Sequence, residues 1–267
     1  SNVQYIANLP KYFSQLGESW LVANVTQYTG DSDLSDATAS EFTLRGNPCG
    51  SSAEFCLSVD GWDVYAATYV SSGTSQYNTS RISFGSSWSA PMVSGGVALV
   101  AQAFPNHTPE QLVDRILASA NNIWFTPTGN TTFTTHGASI KHGYHTTWGH
   151  GVPDFYAAMS PITTSSNPLS FAASPSSSSS STVNGSSVPF SNVMRIPISL
   201  TSITQSSSIG DAIKKGLAGK TTYAYDALNG GFKYDLSNFV TSVSPEDQKI
   251  EIDFAEELNV LRNLDIS

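Results

Sequence analysis

The stretch RISFGSSWSAPMVSGGVALVAQAFP, residues 81–105, constrains this chain more than any other. After Arg81 it carries no charge. The run behind Pro91 is apolar nearly all round, which predicts a buried helix over 91–104. Gly95 and Gly96 would each weaken an exposed helix by about 1 kcal/mol relative to Ala. Their use is therefore close packing against a sheet. Gly85 admits a backbone approach that any side chain would block. Ser87 follows at the mouth of the helix, where free N–H groups and the positive dipole end favour developing negative charge. Two readings fit: a nucleophilic serine with helix-start amides helping to hold an oxyanion, or an ordinary capping serine on a core helix.

The whole chain bounds the context. Its 267 residues allow one large domain or two ordinary ones. Charged residues make up 12%, about half the usual share, so Ser, Thr, Asn and Gln must carry the polar surface. The net charge of −9 argues against nucleic acid and anionic membrane surfaces as partners. No apolar run approaches the roughly 20 residues of a membrane span. The two cysteines, Cys49 and Cys56, close a short Gly/Ser loop. That suits a disulfide in an oxidising compartment, the alternative being two reduced loop thiols. The spacing is poor for zinc. The opening Ser1, in place of Met, is expected of a processed product or fragment.

Three zones follow along the chain. Residues 1–162 read as globular α/β. WLVANVTQY has a strand's length and β-branching, and FCLSVDGWDVYAATYV reads as two strands broken at Asp60-Gly61. HTPEQLVDRILASANN predicts a second helix, with Thr108 as N-cap, Pro109 at N1 and Gln111 closing a capping box. Leu112, Val113, Ile116 and Leu117 share its buried face. The following segment is turn-rich and aromatic and closes on a short helix at PDFYAAMS. Residues 163–190 read as a Ser-rich linker. Residues 191–267 read as a small, mostly β tail module: a strand at VMRIPISL, an amphipathic helix at SIGDAIKKGLAGK, a hairpin around Asn229-Gly230-Gly231 and an acidic strand-then-helix end.

The heptapeptide GSSWSAP resembles the Gly-Thr/Ser-Ser-x-Ser/Ala-x-Pro signature around the nucleophile of subtilisin-like serine proteases, the subtilases. Gly85, Ser86, Ser87, Ser89 and Pro91 fit its defined positions. The flanks agree in order: WLVANVTQY before the signature, GVALVAQAFPNHTPEQLVDRILASA as the helix pair after it, and WGHGVPDFYAAMSP as the closing segment. NPCGSSAEFCLSVDGWDVYAA and the tail are similar to bacterial autotransporter subtilases. The resemblance implies the C-terminal half of a three-layer α/β sandwich with a mostly parallel sheet. It implies peptide hydrolysis through an acyl-enzyme, with Ser87 attacking the carbonyl, a His taking its proton and an Asp orienting the His. It also implies secretion or a cell-surface location, with outer-membrane anchoring through a further C-terminal region. Structural calcium is common in the family, but no ligand spacing is readable here. Trp88 and Met92 depart from the usual pattern, and Trp88 is expected to reshape neighbouring subsites.

In the family the order is Asp, His, oxyanion Asn, then Ser. Here no His precedes Ser87, and all five lie after it: His107, His136, His142, His145 and His150. HGASIKHG at His136 echoes the family's His box only by chance. His142, His145 and His150 could hold a metal, but the alternating Tyr, Thr and Trp read as an exposed loop. The isolated carboxylates Asp114, Asp154 and Asp226 read as surface or turn residues. Asn2 is a candidate oxyanion residue with poor spacing, and a position upstream of Ser1 fits better. The expectation is a serine endopeptidase seen as a fragment lacking its Asp and His. Its partners are then an N-terminal fragment carrying those residues and a protein or peptide substrate. The alternative is a non-catalytic surface or assembly subunit on the same scaffold.

Overall fold

The structure, a computed structural model, describes residues 5–17, 19–69, 77–135, 138–173, 194–197 and 203–243. These form two compact units. The first holds the described part of residues 5–167 together with Asp226–Gly230, and the second holds the rest.

The first unit opens with a 3-10 turn at Tyr5–Asn8, followed by two single-turn helices, α1 (Leu9–Tyr12) and α2 (Ser14–Gly17). Strand β1 (Val22–Tyr28) is flanked by β2 (Phe42–Leu44) and β3 (Cys56–Asp60) in a sheet of order β2-β1-β3. β1 and β3 are parallel, in register from Val22↔Cys56 to Thr26↔Asp60. β3 is buried along four of its five residues. β4 (Val64–Tyr69) and β5 (Tyr77–Ser83) form a hairpin that leads into helix α3 (Ser86–Ala103). Helix α4 (Pro109–Ala118) comes next, then the hairpin β6 (Gly129–Thr135) with β7 (Ala138–Tyr144), then helix α5 (Phe155–Met159). α4 forms as its sequence demands. Thr108 Oγ1 accepts from Gln111 N at 3.3 Å, and Gln111 Oε1 accepts from Thr108 N at 2.9 Å. Leu112, Val113, Ile116 and Leu117 are all buried. Part of the core is aromatic: Phe42 stacks on Trp124 at 3.8 Å, and Trp148 meets Trp124 edge-on at 4.8 Å.

In the second unit, β8 (Ser170–Ala173), β9 (Met194–Pro197), β11 (Thr221–Tyr225) and β12 (Gly231–Asp235) form a sheet of order β12-β11-β8-β9. β10 (Ile203–Ser206) pairs in parallel with β13 (Val240–Val243), and helix α6 (Ser207–Leu217) follows β10. β11 and β12 are the hairpin read around Asn229-Gly230-Gly231, and Asn229 takes the left-handed conformation the turn requires, with φ 65°. β8 falls inside the stretch read as a linker. The acidic end after residue 243 lies outside the described residues.

The mixed helices and small sheets fit an α/β subtilase-like fold. A mostly parallel sheet is not what the described strands form. β1–β3 and β10–β13 are parallel, and the other six pairings are antiparallel. Short connections account for much of this, because hairpin neighbours can only pair antiparallel. Helix α3 also differs from its expected form. It begins five residues earlier than its Pro suggested, so Pro91 sits inside it. Of its 18 residues only Ser89, Val93, Gly96 and Val100 are buried. Among the described elements β1, β3, α4 and α5 pack most against α3, and that narrow stripe faces them.

Candidate active site

The site is built on the carboxyl ends of the two parallel strands. Thr26 of β1 and Val59 of β3 both accept from Gly61 N, at 3.2 and 2.8 Å. Gly61 then offers its own carbonyl to Gly85 N at 3.0 Å. A side chain at Gly61 would overlap Ser89 Oγ, so glycine here lets the start of α3 seat directly on the end of β3. Gly85 has φ 142°, a conformation open to glycine and costly for other residues. Its carbonyl accepts from Trp88 N at 2.9 Å and Ser89 N at 3.3 Å, which caps the helix by backbone alone.

Ser87 is the second residue of α3 and its side chain is exposed. The helix-start amides and the dipole of an 18-residue helix therefore act beside a solvent-reachable hydroxyl. Pro91 has no N–H to return to the Ser87 carbonyl, and this leaves the first turn of the helix one hydrogen bond short. Trp88 is half-buried beside Ser87. On the other flank Phe84, 60% exposed, lies against Trp62 with centroids 4.0 Å apart. The Arg45 guanidinium sits 4.5 Å from the Trp62 ring centre. Sequence reading did not single out this Arg45–Trp62–Phe84 stack, because its members are distant in the chain and no spacing joins them.

The described histidines are engaged elsewhere. His145 Nδ1 accepts from Thr147 N at 3.0 Å. His107 packs on Phe104 at 4.9 Å, and burial, with Arg115 nearby, lowers its pKa to about 4. His142 and His150 meet each other, their Nδ1 atoms 2.9 Å apart. The exposed-loop reading of this segment is therefore corrected: His142 is half-buried on β7 and His150 is 0% exposed. The segment is held in by a β-hairpin whose alternation is written largely in Thr and Ser, too polar to look like a core strand. Asp226 is corrected likewise. It stands in the turn between β11 and β12, as the turn reading had it, but as a fully buried partner of Arg115 rather than a surface carboxylate. Asp154 caps α5, accepting from Ala157 N at 2.8 Å, and Asp114 is half-buried on α4. Among the described residues no three His, Cys, Asp or Glu side chains converge on a possible metal, and no helix is long and apolar enough to cross a membrane. Asn2 and His136 lie outside the described residues. Cys49 and Cys56 form the disulfide.

The model of the subtilase family, peptidase S8, matches residues 5–151. No curated protein matches the chain. The family match covers more than half of the sequence and contains the whole Ser87 loop, the parallel strand pair beneath it and the two helices behind it. The chain belongs to the subtilase family of serine peptidases.

Proposed function

We propose that this chain is the serine-bearing, C-terminal part of an extracellular subtilisin-type endopeptidase. Ser87 is its nucleophile, and a preceding part of the same protein supplies the Asp and His. The observation that carries this reading is the exposed Ser87 hydroxyl at the start of α3, seated by the Gly61–Gly85 bond on the ends of β1 and β3. In the reaction the Ser87 oxygen adds to the peptide carbonyl while the His takes its proton. The helix-start N–H groups help hold the oxyanion, the amine leaves with the proton, and water then releases the acyl group. Among the described residues no hydrogen bond joins a histidine to Ser87, which supports a base from outside them.

The uncovered face of α3 supports a companion part. Ser87, Pro91, Ser94 and Ala98 lie on one side of the helix at helical spacing, and all are exposed. Met92 and Leu99, 40% and 53% exposed, flank them, and the 18-residue helix carries no charge. A face of small and apolar residues directly below the nucleophile suits an element that packs closely and brings an imidazole to Ser87. The buried disulfide supports an oxidising, extracellular setting. The tail's resemblance to autotransporter subtilases supports attachment to the outer membrane through a region beyond residue 267.

A fluorophosphonate probe tests the reading. Ser87 of the full-length native protein should be labelled, and its Ser87→Ala variant and the isolated 267-residue chain should not. A native protein that resists labelling overturns the reading in favour of a non-catalytic surface subunit. Labelling of the isolated chain removes the need for a companion.

A further inference from the structure

The His142–His150 contact has too few hydrogens for the bonds it makes. The rings stack with centroids 5.1 Å apart and Nδ1 atoms 2.9 Å apart. His142 Nε2 lies 3.0 Å from the Ala120 carbonyl oxygen, and His150 Nε2 lies 3.0 Å from the Glu54 carbonyl oxygen. A carbonyl only accepts, so each Nε2 must carry a hydrogen to make its bond. The Nδ1–Nδ1 contact needs a third. Two neutral imidazoles hold only two between them. All three bonds form together only when the pair has taken up one extra proton.

The neutral pair has a second arrangement open to it. Thr131 is the cross-strand neighbour of His142, and its Oγ1 lies 3.5 Å from His150 Nε2. His150 can carry its hydrogen on Nδ1 and donate to His142, leaving a bare Nε2 that accepts from the Thr131 hydroxyl. His142 keeps its bond to Ala120, and the bond to Glu54 is lost. We propose that His142 and His150 bind one shared proton between their Nδ1 atoms, and that this proton switches His150 Nε2 from the Thr131 hydroxyl to the Glu54 carbonyl. Glu54 belongs to the disulfide loop, and His150 N already donates to Cys56 O at 2.8 Å. Protonation therefore fastens that loop to the Gly149–Gly151 turn, which lies along β3.

The surroundings allow one proton and oppose two. Thr131 and Phe133 face the pair from β6, Tyr144 from β7, and Glu54 from the disulfide loop. The Glu54 carboxylate is matched by Lys11 at 2.7 Å and also accepts from Tyr144 Oη at 3.4 Å. Burial lowers the proton affinity of His142, while the Ala120 and Gly143 carbonyls favour its charged form. For His150, burial first and then the neighbouring His142 push the pKa down to about 3. The shared proton thus enters on the acid side of neutrality, and a second does not follow until far lower pH.

Nitrogen-resolved NMR of the 267-residue chain between pH 8 and 4 tests the switch. Both rings should respond at one midpoint, with one proton taken up, His150 Nε2 gaining its hydrogen below it, and a through-bond coupling between the two Nδ1 atoms on both sides of it. Thr131→Val removes the donor that serves the neutral form. It should raise the midpoint by about half a unit to one unit, the worth of one neutral hydrogen bond. Two separate midpoints above pH 4, no titration above pH 4, or an unmoved midpoint in Thr131→Val overturns the proposal. Should that variant fail to fold, the proton count and the hydrogen on His150 Nε2 in the unaltered chain decide alone.

Discussion

Arg115 and Asp226 stand 111 residues apart in the sequence and form a two-pronged ion pair with both side chains wholly buried. Arg115 Nη1 donates to Asp226 Oδ1 at 3.1 Å and Nη2 to Oδ2 at 2.7 Å. Neither group is left short elsewhere. Asp226 also accepts from the backbone N–H groups of Ile162, Leu228 and Gly230, and Arg115 also donates to the carbonyls of Ala158 and Ser160. The pair binds residues beyond the family match into the same unit as α4.

Removing one partner from this pair should be far costlier than removing both. Asp226→Asn leaves a guanidinium charge in a dry site, and loss of one member of such a pair typically costs about 3–5 kcal/mol. A chain ending at residue 167 lacks Asp226 and should lose a similar amount. Replacing both partners by apolar residues of similar volume should restore much of the loss. Denaturant midpoints of the three variants check this, and an Asp226→Asn variant as stable as the parent would refute it.

Local signals and distant ones fared differently. The capping box of α4 is written in four consecutive residues, Thr108 to Gln111, so sequence alone places that helix start. The β11–β12 turn is likewise declared by Asn229-Gly230-Gly231, and the break between β3 and β4 by Asp60-Gly61. Asp226 could not be read as buried, because its reason for burial is an arginine 111 positions away. The β6–β7 hairpin was hidden by its polar strands, and with it the meeting of His142 and His150. The composition of α3 showed that the helix needs cover. It could not show that the described residues cover only the stripe through Val93, Gly96 and Val100. At the candidate site the Gly85–Ser87 turn was legible from its motif, whereas the flanking stack of Arg45, Trp62 and Phe84 was not.

His107 should make folding sensitive to mild acid. Its folded pKa is lowered to about 4, first by burial and then by Arg115. The unfolded chain takes that proton near the ordinary histidine value, so between about pH 6.5 and 4 the unfolded state binds more protons. The stabilising contribution is complete above about pH 6.5 and declines as pH falls toward 4, at up to about 1.4 kcal/mol per pH unit for one proton. Comparing unfolding free energies across that range, His107→Asn should show a shallower slope than the parent. Parallel slopes would show that His107 is not the group responsible.

The Cys49–Cys56 bond closes a loop of sequence separation 7, and both cysteines are buried. Restricting so short a loop in the unfolded chain is worth about 2–3 kcal/mol by loop-closure entropy. Reduction, or the double change Cys49→Ser with Cys56→Ser, should lower stability by that amount. The folded 267-residue chain should show no reactive thiol until it is both unfolded and reduced. Thiol counting before and after reductant, together with a denaturation curve, checks both halves.

Gly95 and Gly96 are neighbours in α3 with opposite demands. A methyl at Gly96 would overlap the Phe155 ring of α5, whereas a methyl at Gly95 meets nothing within 4 Å. In this chain Gly95→Ala should stabilise by about 0.5–1 kcal/mol, because alanine gives up less backbone entropy on entering a helix. Gly96→Ala should destabilise, since Phe155 or the helix must move to make room. Thermal unfolding of the two single variants separates the cases. The full-length protein adds a second readout. If a companion part lies against the Ser87 face, Gly95→Ala should weaken fluorophosphonate labelling of Ser87 there even as it stabilises the isolated chain. Equal labelling with and without the added methyl would mean that the companion does not approach α3 at that level.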